Sequence, residues 1–166
     1  ADLLKMLEDG SLDAAFIALP HESSLFEYEE IFSEDFYLAV PKSHEFYKLT
    51  KASTKSLSHE SLLLLSEGHC LRDQALDFCS QNKISEHFDF KASSLETLRQ
   101  MVAAGVGMTL IPECALDKSS QIKYIPFSGK PPNRQIALFW RKTSIRKDVM
   151  FEIADDVKRL WKVASL

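Results

Sequence analysis

Two cysteines nine positions apart, Cys70 and Cys79, are the residues of this 166-residue sequence best suited to covalent chemistry. They lie in the stretch SEGHCLRDQALDFCSQN, residues 66 to 82, with His69 before the first cysteine and Arg72 shortly after it. A thiol near a helix N-terminus and beside basic side chains has its thiolate form favoured. A thiolate attacks peroxide to give a sulfenic acid, with which a second thiol condenses. The stretch is therefore consistent with a redox pair in which Cys79 resolves an oxidised Cys70.

Helix geometry keeps these two cysteines apart, because the residues between them are predicted to be helical. Nine helical positions are separated by about 13 Å of rise and point to nearly opposite faces. A disulfide requires the two Cα atoms to lie within roughly 7 Å. A bond between Cys70 and Cys79 would require the intervening turns to unwind, so any redox link between them would be a structural switch.

The same residues also have plainer explanations. Free cysteine is among the most buried residue types and packs as a small hydrophobe, which stays an alternative for the pair. For Cys114, which has no charged cluster close in sequence, burial is the expectation. Metal binding by His69, Cys70, Cys79 and His87 is disfavoured, because neither a C-x-x-C nor an H-x-x-x-H pattern is present. We therefore predict no metal and no cofactor.

The composition is that of a globular domain without a surface for nucleic acid or membrane. Hydrophobic residues make up 45% of the chain, enough to bury a core. A net charge of -4 argues against broad phosphate binding, which requires clustered Lys and Arg. The longest apolar run, LLLL at 62 to 65, is far shorter than the roughly 20 residues that cross a bilayer. Three cysteines, an odd number, favour a reducing compartment, so the cytoplasm is the expected location.

Helix-type and strand-type patterns alternate along the chain and predict an α/β fold with mainly parallel sheets. No internal repeat is present, so the organisation has to come from this alternation. The predicted elements are, in chain order, a helix that stops at Gly10, strands at 14–19 and 35–40, the helix of the two cysteines, a strand in FDFKASS, a helix that stops at Gly105, strands in GMTLIPE and QIALFW, and a final helix.

Two of the predicted helices carry further signals. Ser93 and Glu96 have the spacing of a capping box, and Gly105 supplies a stop at the other end of that helix. Each helix is expected to pack one apolar stripe against a sheet. In the final helix this stripe consists of Val149, Ile153, Val157, Leu160 and Trp161.

The run LSEGHCLRDQALDFC, followed by SLETLRQMVAAGVGMTLIPE, resembles the regulatory domain of the peroxide-sensing LysR-type transcriptional regulators. The first motif is specific to the peroxide-sensing members, and the second is general to the LysR type. The resemblance implies a two-subdomain, periplasmic-binding-protein-like effector-binding domain whose subdomain I is incomplete. Residues 1–33 and 139–166 would be parts of subdomain I, and residues 34–138 would form subdomain II. A winged helix-turn-helix DNA-binding domain is expected upstream of this chain.

The resemblance also implies a role for individual residues. Cys70 matches the peroxidatic cysteine, and Cys79 matches its partner in an intramolecular disulfide. The implied supporting residues are His69 and Arg72 of the motif, Asp73 in peroxide reduction, Gln81 in peroxide handling, and Arg134 as the arginine that stabilises the thiolate. Ser93 and Ser94 lie where other LysR-type proteins bind small effectors at a helix N-terminus, although a plain N-cap explains them equally well.

The function implied is that of a redox-sensing regulatory domain, not an enzyme, in a transcription activator. The implied partners are hydrogen peroxide, a glutaredoxin-like thiol reductant, further copies in a homodimer or tetramer, and, in the full-length protein only, DNA and RNA polymerase. Such copies would pair the helix at 94–104 with the helix at 3–7 of a neighbour. Two other functions stay open: a LysR-type domain that binds a small organic effector, and a thiol peroxidase that uses the same cysteine chemistry.

Overall fold

A computed structural model describes residues 2–20, 23–67, 70–118 and 121–164 of the chain. Its helices are α1 (Asp2–Glu8), α2 (Cys70–Asn82), α3 (Leu95–Ala103) and α4 (Lys147–Ala164). Its strands are β1 (Ala14–Ala18), β2 (Phe26–Pro41), β3 (Ser61–Leu65), β4 (Ser85–Ala92), β5 (Thr109–Pro112), β6 (Ile122–Ile125) and β7 (Asn133–Arg141). Short 3₁₀ turns lie at Glu45–Lys48, Thr54–Leu57 and Glu113–Ala115. None of these helices is long and apolar enough to span a bilayer. The α/β class predicted from the sequence is confirmed.

The chain divides into two compact units. Unit 1 consists of residues 1–34 and 134–166, and unit 2 consists of residues 35–133. The expected divisions fell after residues 33 and 138. β2 is one strand of 16 residues that runs through the first division, whereas the sequence pattern indicated only its second half, from residue 35.

Unit 1 is built on strands that are far apart in sequence. β7 lies between β1 and β2, and β1 pairs with β7 in antiparallel register. Leu7 of α1 and Phe139 of β7 are buried together in one apolar cluster of this unit. Trp140 of β7 belongs to a second cluster, which α4 completes. Successive residues of β7 therefore serve two cores, as the two-residue period of a strand requires.

α4 packs on its core with a different stripe from the predicted one. Met150 and Ala154 are buried, and Val157 packs against the same cluster. Trp161 stacks on Phe32 with ring centroids 3.9 Å apart. Three residues of the predicted stripe are exposed instead, namely Val149, Ile153 and Leu160. The helix carries two neighbouring apolar stripes, and the sequence period alone does not distinguish the one that faces the core.

The prediction of mainly parallel sheets is wrong. In unit 2, β2 pairs with both β5 and β6 in antiparallel register, and only β3 and β4 form a parallel pair among the described strands. Parallel neighbours need a crossover connection, and α2 provides one between β3 and β4. β2 meets partners that lie about 70 residues or more downstream, and a local alternation of patterns does not determine their direction.

β3 divides the interior of unit 2 into two clusters. Leu62 and Leu64 face the cluster that α2 covers, whereas Leu63 and Leu65 face the cluster that α3 covers. All four leucines are buried, which explains a continuous apolar run in a strand with helices on both faces. α2 is thereby packed on the strand that directly precedes it.

The helix after β4 begins one residue later than the predicted capping box. Ser94, not Ser93, is the N-cap, and its hydroxyl accepts a hydrogen bond from the Thr97 backbone N–H at 3.1 Å. The hydroxyls of Ser94 and Thr97 are also 2.9 Å apart. The box spacing of Ser93 and Glu96 is therefore coincidental. The stop at Gly105 is confirmed, since this residue has a φ of 82°, which glycine adopts without strain.

We expect Ser94→Ala to lower the free energy of unfolding by about 1 kcal/mol, because the Thr97 N–H loses its acceptor. The matched control is Ser93→Ala, which changes the same side chain one residue earlier and should have an effect within about 0.5 kcal/mol. Urea unfolding of both variants measures the difference. Equal losses in the two variants would contradict the assignment of Ser94 as the cap.

Candidate functional site

α2 positions the two cysteines that the sequence singled out. The helix begins at Cys70 and continues without interruption past Cys79 to Asn82, so the predicted helix between them is confirmed. Nine residues of α-helix place the two Cα positions about 13 Å apart along the axis. Cys79 carries a free thiol. His69 and the side chain of Cys70 lie outside the described part of the chain. An intact α2 is therefore incompatible with a bond between Cys70 and Cys79.

The thiol of Cys79 is buried on the core face of α2. It is 4% exposed and shares its apolar cluster with Ala75 and Phe78 of the same helix. Burial raises the pKa of this thiol to about 11, and the negative charge of Glu86 contributes in the same direction. Cys79 is therefore a protonated, poorly nucleophilic thiol while α2 stays packed.

Arg72, in the first turn of α2, is bound to groups outside the helix. Its Nη1 donates to the backbone oxygen of Leu65 at 2.8 Å and to Oε1 of Glu86 at 2.7 Å, and its Nη2 donates to Oε2 of Glu86 at 3.0 Å. Hydrogen bonding to Glu86 raises the pKa of Arg72, and the same bond lowers the pKa of Glu86. The residue is only 7% exposed. The positive charge of Arg72 is thus paired with the carboxylate of Glu86 within unit 2.

The other polar residues of α2 differ in their exposure. Asp73 and Gln81 point to solvent. Gln74 is half-buried, and its Oε1 is buried with no hydrogen-bond partner among the described residues. Gln74 follows Cys70 by one helical turn, so it lies near the start of α2 on the same side of the helix.

Arg134 lies in unit 1 and is held by a buried carboxylate. Its Nε donates to Oε1 of Glu34 at 2.7 Å, and its Nη2 is 2.6 Å from the same oxygen. The side chain of Glu34 is fully buried. Arg134 also accepts, at its backbone oxygen, a hydrogen bond from the hydroxyl of Ser33. The guanidinium of Arg134 therefore has a structural role, because it joins the second segment of unit 1 to Glu34, the last residue of the first segment.

Three further expectations concern the serines before α3, the burial of Cys114 and metal binding. Ser94 uses its hydroxyl as the cap of α3, and Ser93 is exposed beside it. Cys114 is exposed in the 3₁₀ turn after β5, so the expected burial of this thiol is wrong. This turn directly follows β5, and the chain passes from the buried Pro112 to the exposed Cys114 within two residues.

Within residues 2–20, 23–67, 70–118 and 121–164, no group of three or more His, Cys, Asp or Glu side chains could hold a metal ion.

Glu86 and Gln74 are the residues of this site that sequence reasoning missed. Glu86 lies 14 residues after Arg72, on the strand that pairs with β3, and its partnership depends on the parallel register of β3 and β4. The signal available in the sequence was a carboxylate at the start of a strand that lies beside a buried strand. Gln74 lies within the motif that carries both cysteines, but a glutamine on a helix has no signature of its own.

Residues 1–155 match the protein family described as the LysR substrate binding domain. A hydrogen peroxide-inducible genes activator from Dickeya chrysanthemi is 40% identical over 159 residues, which are 94% of this chain and 52% of that protein. The DNA-binding transcriptional dual regulator OxyR from Escherichia coli K12 is 38% identical over 159 residues, with the same two shares. The chain thus spans about half the length of the curated relatives that it matches.

Solved structures of the same kind share the fold. A crystal structure of the reduced form of OxyR matches with a TM-score of 0.85 at 36% identity, covering 95% of this chain and 75% of that one. A crystal structure of the oxidised form matches with a TM-score of 0.83 at 37% identity, covering 95% and 76%. The resemblance to peroxide-sensing regulators is confirmed, together with the two-subdomain α/β fold that it implied.

The raised pKa of Cys79 predicts slow alkylation of this thiol. At pH 7.5 only a small fraction, well below 1%, is thiolate when the pKa is about 11, and the thiolate is the reactive form. We expect iodoacetamide to modify the exposed Cys114 while Cys79 stays protected in the folded chain. Peptide mass mapping measures both sites, and the chain unfolded in urea is the control in which both react. Equal rates in the folded chain would contradict the buried position.

The contact of Arg134 with Glu34 predicts a large effect on stability. Arg134→Ala removes this cation from a fully buried carboxylate, which lowers the free energy of unfolding by about 3 kcal/mol or more. Arg159→Ala is the matched control, because Arg159 pairs with Asp156 on the exposed surface of α4, where such pairs contribute about 0 to 1 kcal/mol. Urea unfolding distinguishes them. An Arg134→Ala chain with unchanged stability and slower oxidation of Cys70 would instead indicate a role directed at the thiolate.

Proposed function

The chain belongs to the LysR substrate binding domain family, and from that premise we propose that it is the redox-sensing regulatory domain of a hydrogen-peroxide-responsive transcription regulator. The observation that carries the proposal is α2, which keeps a free, buried thiol at Cys79 separated by helix from Cys70. Relatives named as hydrogen peroxide-inducible genes activators support the stimulus. The likeness to both a reduced and an oxidised OxyR structure supports a domain that exists in two redox states.

The proposed switch has two chemical steps. The Cys70 thiolate attacks one oxygen of hydrogen peroxide, the O–O bond breaks, hydroxide leaves, and Cys70 becomes a sulfenic acid. The thiol of Cys79 then attacks the sulfenic sulfur, and water leaves as the disulfide forms. Because a disulfide needs Cα atoms within about 7 Å, the second step requires α2 to unwind between the cysteines. A glutaredoxin-like reductant would return both sulfurs to thiols by exchange.

Supporting roles are proposed for the residues around Cys70. Asp73 and Gln81 are exposed on α2, which supports access of a small oxidant to their polar groups. The buried oxygen of Gln74 supports a contact with peroxide or with a sulfenic acid one turn away. Arg72 is proposed to act by positioning the first turn of α2, since Glu86 and Leu65 bind its guanidinium. His69 and Ser93 are proposed in the roles that the family resemblance implies. Arg134 and Ser94 are proposed in those roles in addition to the bond of Arg134 with Glu34 and the capping of α3 by Ser94.

The whole protein would be a regulator and not an enzyme, located in the cytoplasm. We infer that a DNA-binding domain outside this chain contacts promoters and RNA polymerase, and that activation follows from oxidation. The regulatory domains would assemble as a homodimer or tetramer, with α3 of one copy against α1 of another. Leu3 and Met6 are exposed on α1, which supports an apolar contact between copies.

Peptide mass mapping after brief exposure to micromolar hydrogen peroxide tests the switch, with free thiols alkylated before and after the exposure. We expect a peptide in which Cys70 is bonded to Cys79, with Cys114 still open to alkylation. One equivalent of peroxide should be consumed per chain. Cys70→Ser and Cys79→Ser should both abolish the linkage, and Cys114→Ser is the matched control that should leave it unchanged.

Three results would contradict the proposal. A disulfide that includes Cys114 would show that Cys79 is not the specific partner of Cys70. Sustained consumption of peroxide in excess thiol would instead indicate a thiol peroxidase, because a sensor oxidises once and recovers slowly. A metabolite that raises the thermal stability of Cys70→Ser would favour a domain that binds a small organic effector, since ligand binding stabilises the native state.

A further inference from the structure

Arg72 ties the first turn of α2 to the parallel pair of strands β3 and β4. Arg72 reaches the backbone oxygen of Leu65, the last residue of β3, and both carboxylate oxygens of Glu86, near the start of β4. This two-pronged geometry between a guanidinium and a carboxylate is the strongest and most directional form of ion pair. Arg72 therefore connects α2 to both strands of the parallel pair at once.

The pair is sheltered from solvent on both sides. The side chain of Arg72 is 8% exposed and that of Glu86 is 16% exposed. Other charges near Arg72 are Glu67 and Asp73, which raise its pKa less than Glu86 does, and Lys91 contributes to the lowered pKa of Glu86. A buried pair loses much more when one partner is removed than a surface pair does, because the other charge stays behind in the interior.

Glu86 lies where β4 departs from regular pairing. The register runs through Leu62 and Glu86 and resumes at Leu64 and Lys91, so β4 carries three more residues than β3 between these points. Glu86 is thus the last paired residue before the irregular stretch. Its backbone is paired with Leu62 in the ladder, and from there its carboxylate reaches Arg72.

Closing a bond between Cys70 and Cys79 affects these contacts of Arg72 when the first turn of α2 moves. Arg72 lies within the segment that the bond would close, whereas Leu65 and Glu86 lie outside it. The segment has to shorten from about 13 Å to less than about 7 Å between the two Cα positions. When the first turn of α2 leaves its helical position to close this distance, Arg72 has to leave Leu65 and Glu86 with it.

We propose that Glu86 is a positioning residue that acts through Arg72 as a latch, holding α2 in the helical form and so setting the thiol–disulfide equilibrium between Cys70 and Cys79. This inference rests on the proposed function, because it presumes that the two cysteines can be joined. Glu86 also disfavours the thiolate of Cys79, the form that attacks an oxidised sulfur. Both effects of the carboxylate oppose formation of the disulfide.

Glu86→Gln tests the latch, because the amide keeps the shape of the side chain and removes its charge. The chain is equilibrated in buffers of reduced and oxidised glutathione, in which two thiols are oxidised to the disulfide as one glutathione disulfide is reduced to two thiols. Alkylation and mass mapping then give the fraction of the Cys70–Cys79 bond. We expect the equilibrium constant to shift about tenfold toward the disulfide, which is about 30 mV for two electrons.

Two variants make the comparison specific. Glu96→Gln is the matched control, since Glu96 is bound to Arg99 and Gln100 of its own helix on the exposed surface of α3, so its equilibrium should equal that of the parent chain. Glu86→Asp keeps the charge on a shorter side chain and should give an intermediate shift. It also provides the measurement should Glu86→Gln fold poorly, which circular dichroism of the reduced chain reports.

The outcomes separate the latch from the proposed function. If the parent chain forms the Cys70–Cys79 bond and both Glu86 variants titrate as the parent does, the latch is overturned and the switch stands. If the parent chain forms no such bond at any glutathione ratio, the switch is overturned and the latch with it. A shift of equal size in Glu96→Gln would also overturn the latch, because a general loss of charge would then explain it.

Discussion

The pitch of one α-helix governs the rest of this structure. A rise of about 1.5 Å per residue separates Cys70 from Cys79 by nearly twice the distance that a disulfide allows. As long as α2 persists, the two sulfurs cannot react with each other, whatever their individual reactivity. The packing of α2 therefore keeps the two cysteines apart, and the burial of Cys79 follows from the same packing. A disulfide between Cys70 and Cys79 would require a change of fold in this segment.

Buried ion pairs hold the two arginines to which the family resemblance assigned roles at the Cys70 thiol. Arg72 is bound to Glu86 within unit 2, and Arg134 is bound to Glu34 within unit 1. A guanidinium that is already paired offers less of its field to a nearby thiolate than an unpaired one. The pairs instead fix the backbone on which the site is built. In each unit, an arginine that was expected to act on sulfur also stabilises the fold through its ion pair. Substitution of either arginine is therefore expected to affect stability as well as the proposed sulfur chemistry.

Local signals predicted local structure well in this chain. The helix over the cysteines, the strand in FDFKASS and the stop at Gly105 all depend on residues within one or two turns, and the structure has them. The direction of the sheet strands was not predictable in this way, because β2 pairs with β5 and β6 across long stretches of chain. The same reason hid Glu86, whose bond to Arg72 exists only through the register of β3 with β4. The cap at Ser94 was missed because adjacent serines offer two registers that the sequence does not distinguish.

Both ends of α2 pack on apolar clusters, through Leu71 at the near end and Phe78 at the far end, but the two ends differ in their polar contacts. At the far end, Lys83 adopts a left-handed φ of 56°, and the Ile84 N–H donates to the Cys79 carbonyl at 3.0 Å, as in a Schellman motif. Ile84 and Phe78 are buried with Cys79, so apolar contact on several sides holds this end. At the near end, the described contacts of Arg72 are polar and directional. Apolar burial is lost in proportion to area, whereas a directional pair is lost in a single step. The free-energy cost of the proposed switch therefore depends on which end of α2 moves, because the two ends would lose different contacts.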